Sequence, residues 1–350
     1  MKSKYSELFK QLQNEQGILN LDRQRDTDVL IVDGLNSFIR VFSAVPIVND
    51  DGDHIGGTFG FIRSIGAIVR QFKPTRLVIV FDGKGGSARR KKMHSGYKEG
   101  RSLPTRFNRF EDTEQTVEQE IQSLQRQFGR LAEYLNCLPV TVISIDNIEA
   151  DDVISYLATD IFVKEETKKV TIMSDDKDFL QLIDDRVQVW RPVEKKLYGR
   201  NEMVERFGMH PENFLLYKIF IGDNSDNIPG IKGVGPKTLL NKFPFVTEHR
   251  KVDIEEILQY CEANKDSKYA IYKSVLEQKD SMELNYRLMQ LHNVDIAGSY
   301  KTMIVDMAGR ASNTYDKNSF KQLFMLDKAY TVIPNVDSWL QNTFSNLAAY

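Results

Sequence analysis

The chain has 350 residues, of which 41% are hydrophobic, so it can bury the core of one large domain or two modest ones and is not globally disordered. Its two cysteines, Cys137 and Cys261, form neither a disulfide framework nor a zinc-ligand spacing, which predicts a reducing compartment. The sequence contains no apolar run of membrane-spanning length and no signal peptide near the N-terminus. These features predict a soluble cytoplasmic protein.

The net charge of −2 hides a local asymmetry. Residues 84–109 carry nine Lys or Arg and one acid, Glu99, whereas residues 111–120 carry five acids and no Lys or Arg. A polyanion responds to the local distribution of charge rather than to its sum. A nucleic-acid partner is therefore compatible with this composition.

The periodicity of apolar residues predicts the elements in chain order. Residues 1–27 are polar and predict a short amphipathic helix and a linker. Strand-like runs follow at 28–32, 77–81, 140–145, 170–173 and 187–190, and helical patterns at 57–72, 114–136 and 150–164 lie between them. This alternation predicts an α/β fold with a mostly parallel sheet flanked by helices. The basic excursion at 84–113 interrupts it, which is typical of a functional segment.

The rest of the chain predicts helices. From about residue 201 the strands stop, and residues 201–243 predict a helix, a glycine-rich turn and a second helix. Further helices are predicted within 250–295, at 317–329 and at 336–346.

Acidic residues recur in five short segments at the ends of predicted strands or the starts of helices. They are Asp33 in VLIVDG, Asp82 in VIVFDG, Glu149, Asp151 and Asp152 in IEADD, Asp176 and Asp178 in MSDDKDF, and Asp223 and Asp226 in GDNSDN. The carboxyl ends of parallel strands meet at one edge of a sheet, where carboxylates repel unless cations neutralise them. Because hard oxygen ligands suit Mg²⁺ or Mn²⁺, the pattern predicts a divalent-metal site.

Each segment alone has a simpler explanation. A strand-end acid such as Asp33 or Asp82 caps a following helix, and a helix N-terminus attracts acids through its dipole. At the start of the predicted helix after Glu149, that residue and Asp152 share a face, with Asp151 rotated away. The presence of all five segments in one chain favours the metal site.

These segments resemble, in order, the motifs of the 5′ nucleases or flap endonucleases, which include phage ribonuclease H, phage 5′-exonucleases and the 5′-nuclease domain of bacterial DNA polymerase I. The resemblance runs through VDGLNSFIR, FDGKGGSARRKKMHSGYKEGR, IEADDVISYLA, SDDKDFLQL and GDNSDNIPGIKGVGPKTLLNKF, over roughly residues 28–243. It implies a PIN-like fold with two Mg²⁺, which Mn²⁺ can replace. Asp33, Asp82, Glu149 and Asp151 would gather around one ion, and Asp152, Asp176, Asp178, Asp223 and Asp226 would serve the other.

The resemblance also assigns basic residues. Arg90 and Lys98 match a pair that contacts the scissile phosphate, and their spacing predicts that both project from one side of a helix. Arg40 matches a family arginine. A solvated basic surface or a plain surface arginine is the alternative for these residues.

Residues 84–113 resemble the family's helical arch, through or under which a single-stranded 5′ end passes. The residues that this implies as nucleic-acid contacts are Arg89, Lys91, Lys92 and Arg101, with Tyr97 and Phe107 for base stacking.

The last motif resembles the family's helix–three-turn–helix, at about 215–243. Gly230, Gly233 and Gly235 allow tight turns that bring backbone N–H groups to a phosphate, with Lys237 and Thr238 beside them. Such contacts read the duplex backbone rather than its bases. The resemblance implies that carbonyl groups of the turn hold K⁺.

The predicted organisation is an N-terminal extension at 1–27, a nuclease core at 28–200, a helical DNA-binding region at 201–295 and a C-terminal helical region at 296–350. Because little of the chain follows the hairpin, no polymerase domain is expected, and the protein is predicted to be a stand-alone, phage-like nuclease. The resemblance implies a monomeric 5′-3′ exonuclease and flap endonuclease that removes RNA primers and 5′ flaps during replication and works in the host cytoplasm. Its expected substrates are branched or nicked DNA and RNA–DNA duplex. A sliding clamp and a single-strand-binding protein are possible partners of the two flanks.

Two alternative functions remain. A non-catalytic DNA-binding relative is disfavoured because all nine carboxylates are present. A PIN-like ribonuclease of RNA turnover is disfavoured by the glycine-rich motif.

Overall fold

The computed structural model describes residues 28–100, 116–164, 167–310 and 312–347. The predicted N-terminal helix and linker lie outside these ranges, as do Arg101 and Phe107.

The chain forms two compact units. Unit 1 comprises Met1–Gly86, Leu103–Asp175 and Ile296–Tyr350, and unit 2 comprises Ser87–Ser102 and Asp176–Asp295. The predicted domain bounds rest on composition and on a resemblance rather than on packing, and they stay predictions.

Unit 1 is built on four parallel strands, in the spatial order β3-β2-β1-β4. The strands are β1 (Asp28–Asp33), β2 (Arg76–Asp82), β3 (Thr141–Ile145) and β4 (Lys169–Met173). Their side chains are almost all buried, because helices cover parallel sheets on both faces. Asp33 pairs with Val80 and Asp82 pairs with Ile145, so both carboxylates stand at the carboxyl edge of the sheet.

The helices of unit 1 pack on this sheet through aromatic side chains. The ring of Phe128 contacts those of Phe38 and Phe81, with centroids 4.9 Å and 5.4 Å apart. These contacts join two helices to β2. The helices are Gly34–Ala44, Gly56–Phe72, Val117–Asn136, Ala150–Tyr156, Phe162–Lys164, Gly298–Gly309, Lys317–Leu326 and Val336–Phe344, with a π-helical turn at Leu157–Ile161. The predicted α/β class is confirmed.

The C-terminal helices belong to the core of unit 1. A Cβ atom at Gly66 would lie 2.6 Å from Cζ2 of Trp339, so the helix Val336–Phe344 packs closely on the helix Gly56–Phe72. The buried Arg76 donates a hydrogen bond to the carbonyl oxygen of Ala308. Residues after 296 therefore complete the hydrophobic core that the sheet begins.

Unit 2 is mainly helical. Its helices are Ala88–Met93, Arg200–Phe207, Phe214–Ile221, Pro236–Lys242, Ile254–Asn264, Ile271–Glu277 and Lys279–Met289, and its 3₁₀ turns are Lys177–Leu182, Pro211–Asn213, Asn224–Asp226 and Pro244–Thr247. Two antiparallel pairs of strands accompany them: β5 (Val187–Arg191) with β6 (Lys196–Tyr198), and β7 (Gly222–Asp223) with β8 (Ile228–Pro229). The prediction that strands stop near residue 201 is therefore wrong, because the tight loop between β7 and β8 closes a two-residue ladder.

In the described part of the chain, none of the helices has the combination of length and apolar character needed to cross a membrane.

Candidate active site

Five of the nine predicted metal ligands lie in unit 1. One of them, Asp33, is the last residue of β1. Its Oδ1 accepts a hydrogen bond from the backbone N of Asn36 at 3.2 Å, and its Oδ2 accepts one from Oγ of Ser174 at 2.8 Å. Only 5% of Asp33 is exposed. The carboxylate therefore caps the next helix and is also fixed from β4, so the capping explanation and a site role are compatible.

The other four acids of unit 1 lie at the end of β2 and at the start of the helix Ala150–Tyr156. Oδ1 of Asp82 accepts a hydrogen bond from the backbone N of Ala150 at 2.9 Å. Glu149 and Asp152 are buried, with 2% and 3% exposed, whereas Asp151 is partly exposed. The helical spacing predicted this difference, since Glu149 and Asp152 share a face.

Arg40 forms an ion pair within unit 1. Its Nε lies 3.0 Å from Oδ2 of Asp175, the acid at the variable position of the SDDKD segment. Burial lowers the pKa of the Arg40 guanidinium, and the charge of Asp175 opposes this shift. The pair holds a positive charge beside the acidic segment, but a contact of Arg40 with a phosphate stays a prediction.

In unit 2, a lysine joins two of the predicted ligands. Nζ of Lys218 lies 2.7 Å from Oδ1 of Asp178 and 2.5 Å from Oδ2 of Asp223. Lys218 is 5% exposed, so this ammonium group is almost fully withdrawn from water. Asp176 caps the turn that carries Asp178, because its Oδ1 accepts a hydrogen bond from the backbone N of Asp178 at 2.8 Å.

The pKa values of Asp178 and Asp223 are shifted in opposite directions. Burial, followed by the charge of Asp176, raises the pKa of Asp178 to about 7, although Lys218 opposes the change. Burial also pushes the pKa of Asp223 upward, but Lys218 and two hydrogen bonds from Ser225 bring it down to about 2. A second cation beside Asp178 would relieve this repulsion, so these residues suit a divalent metal.

The segment that carries Lys98 packs on the loop that carries Asp226. The backbone N of Lys98 donates to the carbonyl oxygen of Asp226 at 3.0 Å, and Nδ2 of Asn227 donates to the carbonyl oxygen of Gly96 at 3.0 Å. A ring nitrogen of His94 also lies 3.0 Å from the carbonyl oxygen of Asn227. The structure thus brings the backbone of Lys98 beside that of Asp226.

The prediction that Arg90 and Lys98 project from one side of a helix is wrong. The helix ends at Met93, and Lys98 has a left-handed backbone with φ of 54°. The cause is the docking of residues 94–98 on the Asp226 loop, which replaces helical hydrogen bonds. Arg90 is 3% exposed, and its Nε donates to the carbonyl oxygen of Leu288 at 2.8 Å.

The other residues of the predicted arch differ in exposure. Tyr97 is 2% exposed, so the expected stacking of bases on its ring is wrong for this conformation. Lys91 and Lys92 are exposed and Arg89 is partly exposed. Their contacts with nucleic acid stay predictions.

The three glycines of the last motif differ in how strictly the surrounding backbone requires glycine. A Cβ atom at Gly230 would lie 2.4 Å from the carbonyl oxygen of Ile221, so close packing of two backbones requires glycine there. Gly233 has φ of 88°, a conformation that favours glycine. Gly235 precedes the helix Pro236–Lys242, with no atom within 4 Å of its added Cβ.

A buried asparagine fixes this hairpin from outside the motif. Nδ2 of Asn285 donates to the carbonyl oxygens of Ile219 and Pro229, at 3.0 Å and 2.9 Å. Only 1% of Asn285 is exposed, so these bonds are shielded from water. Lys237 is exposed and Thr238 is partly exposed on the helix that follows, where a phosphate can reach them.

Among the described residues, His210, Glu212 and His249 also place possible metal-ligand atoms within 4.8 Å of one another. Arg200 donates hydrogen bonds both to Glu212 and to a ring nitrogen of His249. The cluster is therefore already neutralised by a guanidinium, and it is better described as a charged network than as a metal site.

Sequence reasoning missed Lys218 and Ser174. Lys218 stands in the apolar segment FLLYKIFI, where a lysine five residues before the first acid of GDNSDN is the available signal. Ser174 opens the SDDKD segment directly after β4, so its hydroxyl group was a candidate partner for an acid on the neighbouring strand β1.

Comparison with known proteins defines the class. A model of the family described as "5′-3′ exonuclease, N-terminal resolvase-like domain" matches residues 28–208, which is more than half of the chain. The 5′-3′ exonuclease of Bacillus subtilis (strain 168) is 32% identical over 235 residues, covering 64% of this chain and 71% of that protein. The chain therefore belongs to the 5′-3′ exonuclease family and is a 5′ nuclease, as its motifs predicted.

Other relatives agree with this assignment. The 5′-3′ exonuclease of Aquifex aeolicus (strain VF5) is 29% identical over 263 residues, covering 75% of this chain and 81% of that protein. DNA polymerase I of Thermus thermophilus is 32% identical over 213 residues, which are 61% of this chain but only 23% of the polymerase. The structure of the T5 D15 protein co-crystallized with metal ions is similar with a TM-score of 0.57 at 18% identity, covering 90% of this chain and 99% of that one. This last likeness concerns the fold alone.

Proposed function

We propose that this 5′ nuclease hydrolyses phosphodiesters at 5′ ends and 5′ flaps with two Mg²⁺, which Mn²⁺ can replace, and removes RNA primers and flaps during DNA replication. The observation that carries the proposal is the set of acids around Lys218. Asp178 and Asp223 are drawn together there although, when both are ionised, one buried ammonium neutralises only one of their two charges. Such a set is suited to binding cations.

The proposed ligands are the five carboxylates of unit 1 and the four of unit 2. When bound, two divalent ions supply an activated water and stabilise the developing charge on the phosphate. The chain's own residues hold the geometry: Ser174 orients Asp33, the backbone of Ala150 orients Asp82, and Lys218 orients Asp178 and Asp223. These four acids thus keep their positions before an ion arrives, which lowers the cost of assembling the site.

Lys98 is the proposed phosphate ligand of the basic segment. Its backbone N is bonded to the carbonyl oxygen of Asp226, and its Nζ lies 5.0 Å from the centre of the Tyr97 ring. A cation aimed at the scissile phosphate stabilises the charge that develops in the transition state. Arg40 is proposed to assist, held by Asp175.

Branched DNA is the proposed substrate. The similar T5 D15 flap endonuclease was crystallized as a complex with DNA and metal ions, with a TM-score of 0.56 at 19% identity. Human GEN1, with a TM-score of 0.51 at 13% identity, was crystallized with Holliday junction DNA. We propose that this chain binds duplex through the hairpin around Gly230–Thr238 and a 5′ single strand through the basic segment.

Further proposals rest on the family resemblance. They are a K⁺ ion held by carbonyl groups of the hairpin turn, action as a monomer in the cytoplasm, a sliding clamp bound by the N-terminal flank and a single-strand-binding protein bound by the C-terminal flank. Duplex affinity measured in K⁺ and in tetramethylammonium would test the first of these.

One experiment tests the function. The protein is incubated with Mg²⁺ and a 5′-labelled flap, a nicked duplex or an RNA–DNA hybrid, and the products are mapped. We expect short 5′ products that vanish in EDTA and return with Mg²⁺ or Mn²⁺. Asp82→Asn should lower the rate by orders of magnitude, whereas Asp306→Asn, at an exposed acid of a C-terminal helix, should not. Near wild-type cleavage by Asp82→Asn, or cleavage that survives EDTA, would refute the assignment.

A further inference from the structure

A second cationic surface adjoins the hairpin turn in unit 2. Side chains from the segment after the hairpin hold the turn at Lys232: Oε1 of Gln278 accepts from the backbone N of Lys232 at 2.8 Å, and Oγ of Ser274 donates to its carbonyl oxygen at 3.0 Å. Cδ1 of Ile271 lies 3.6 Å from the position of a Cβ atom on Gly233. The segment 268–278 is thus fixed against the turn that is proposed to bind duplex.

Two lysines contact the ring of an exposed tyrosine on this segment. Tyr269 is 41% exposed, and Nζ of Lys242 lies 3.2 Å from the centre of its ring. Nζ of Lys268 lies 5.3 Å from the same centre. Lys242 ends the hairpin helix Pro236–Lys242, so the tyrosine joins a cation of the hairpin to a cation of the later segment.

The ring of Tyr269 packs against a cluster of aromatic side chains. It contacts Tyr272 edge-on at 6.5 Å, and Tyr272 contacts Phe243 and Tyr260 in turn. Tyr272 is 5% exposed and Phe243 is fully buried. The aromatic contacts therefore fix the position of Tyr269 relative to the hairpin helix, which ends one residue before Phe243.

We propose that Lys242, Lys268 and Tyr269 form a second binding site for the phosphate backbone of duplex DNA, continuous with the hairpin turn. The inference rests on the proposed function and extends the duplex contact beyond the motif. Each lysine ammonium is available to a phosphate, since cation–π contacts leave its charge unneutralised. Because Lys242 already covers the ring of Tyr269, the surface suits phosphates better than stacked bases.

The test measures duplex affinity against salt concentration in EDTA, where cleavage is blocked. Each phosphate contact contributes about 0.9 to the slope of log K against log salt, so the double variant Lys242→Ala/Lys268→Ala should lose about two from that slope. The control Lys195→Ala/Lys265→Ala removes the same charge from exposed lysines, one in the β5–β6 turn and one paired with Glu262. Its slope should equal that of the wild type.

Tyr269 supplies a second measurement. Tyr269→Ala should weaken duplex binding about twofold to fivefold because the lysines lose the ring that orients them. Tyr269→Phe keeps the ring and should bind like the wild type. Thermal melting establishes that each variant is folded.

The outcomes separate the two proposals. A wild type that neither binds duplex nor cleaves flaps overturns both. A wild type that binds and cleaves, with a double variant whose slope equals the control's, overturns only the second surface. Loss of affinity at every salt concentration without a change of slope also overturns it, because the lysines would then act on folding. If the double variant loses affinity for an acidic peptide but not for duplex, the surface serves a protein partner instead.

Discussion

Lys218 is the residue that distinguishes this site from a simple group of acids. Its ammonium group is buried between Asp178 and Asp223, and the attraction of the two carboxylates raises the pKa of Lys218 although burial opposes the shift. With both carboxylates ionised, the trio carries one net negative charge. The lysine therefore lets two acids approach each other before a divalent cation is present, at the cost of withdrawing three charges from water.

Replacing Lys218 should leave the repulsion between Asp178 and Asp223 uncompensated. We expect Lys218→Met to lower the free energy of unfolding in EDTA by about 3 kcal/mol, because breaking a buried ion pair leaves uncompensated charge. Mg²⁺ should restore part of the loss by binding the same carboxylates. Urea denaturation in EDTA and in Mg²⁺ measures both effects.

The matched control is Lys196→Met, which removes an exposed ion pair with Glu205 at 3.2 Å. It should change the free energy of unfolding by less than about 1 kcal/mol. If the two variants are equally stable in EDTA, Lys218 does not compensate the buried acids.

Lys98 is expected to act on the chemical step. Its backbone is fixed on the Asp226 loop, whereas Arg89 lies on the short helix Ala88–Met93. Lys98→Ala should slow single-turnover cleavage at saturating enzyme roughly 100-fold, since it removes a charge aimed at the transition state. Arg89→Ala should mainly lower affinity and the salt slope. Equal single-turnover rates for wild type and Lys98→Ala would remove Lys98 from the chemistry.

At the scale of elements, the sequence predicted the sheet well. Buried parallel strands appear as short continuous apolar runs, and LIV in β1 and LVIVF in β2 are such runs, each ending in an aspartate. That pattern located Asp33 and Asp82 at one edge without knowledge of any contact. The helix that starts near Ala150 was equally visible, because acids at its start and apolar spacing after it agree.

Elements set by long-range contacts were not predictable in this way. The helix after Ala88 stops at Met93 because residues 94–98 bond to the loop around Asn227, about 130 residues away in sequence. The helix Gly34–Ala44 was not predicted because its glycine, serines and asparagine weaken the helical pattern in the sequence. Burial of its apolar side chains stabilises the helix in the folded protein. Burial of Tyr97 likewise has no local signal.

The hairpin glycines give a prediction that separates packing from binding. Gly230→Ala should lower the free energy of unfolding by about 2 kcal/mol, because its Cβ would meet the backbone oxygen of Ile221 at 2.4 Å. Gly235→Ala should change it by about 0.5 kcal/mol or less, since φ there is −95° and the space is open. Urea midpoints of the two variants test this. Equal midpoints would show that the loop relaxes around the added methyl group.

At the scale of the whole molecule, two surfaces are proposed to bind different parts of the substrate. The hairpin offers backbone turns fixed by Asn285, which suit the regular phosphates of a duplex. The basic segment offers closely spaced side-chain cations at Arg89, Lys91 and Lys92, which suit an irregular single strand. Arg90 is not counted with them, because it is buried against Leu288.

This division predicts different substrate losses for two variants. Lys237→Glu should weaken binding to blunt duplex and to a 5′ flap by similar factors, because both substrates contain the duplex that the hairpin is proposed to bind. The triple variant Arg89→Ala/Lys91→Ala/Lys92→Ala should weaken binding to the flap selectively. Dissociation constants for the two substrates, measured in EDTA at one salt concentration, provide the comparison. Lys195→Glu, a charge reversal in the β5–β6 turn, is the control and should leave both constants unchanged. If the hairpin variant and the triple variant lose the same factor on both substrates, the two surfaces do not divide the substrate, although the chain would remain a nuclease.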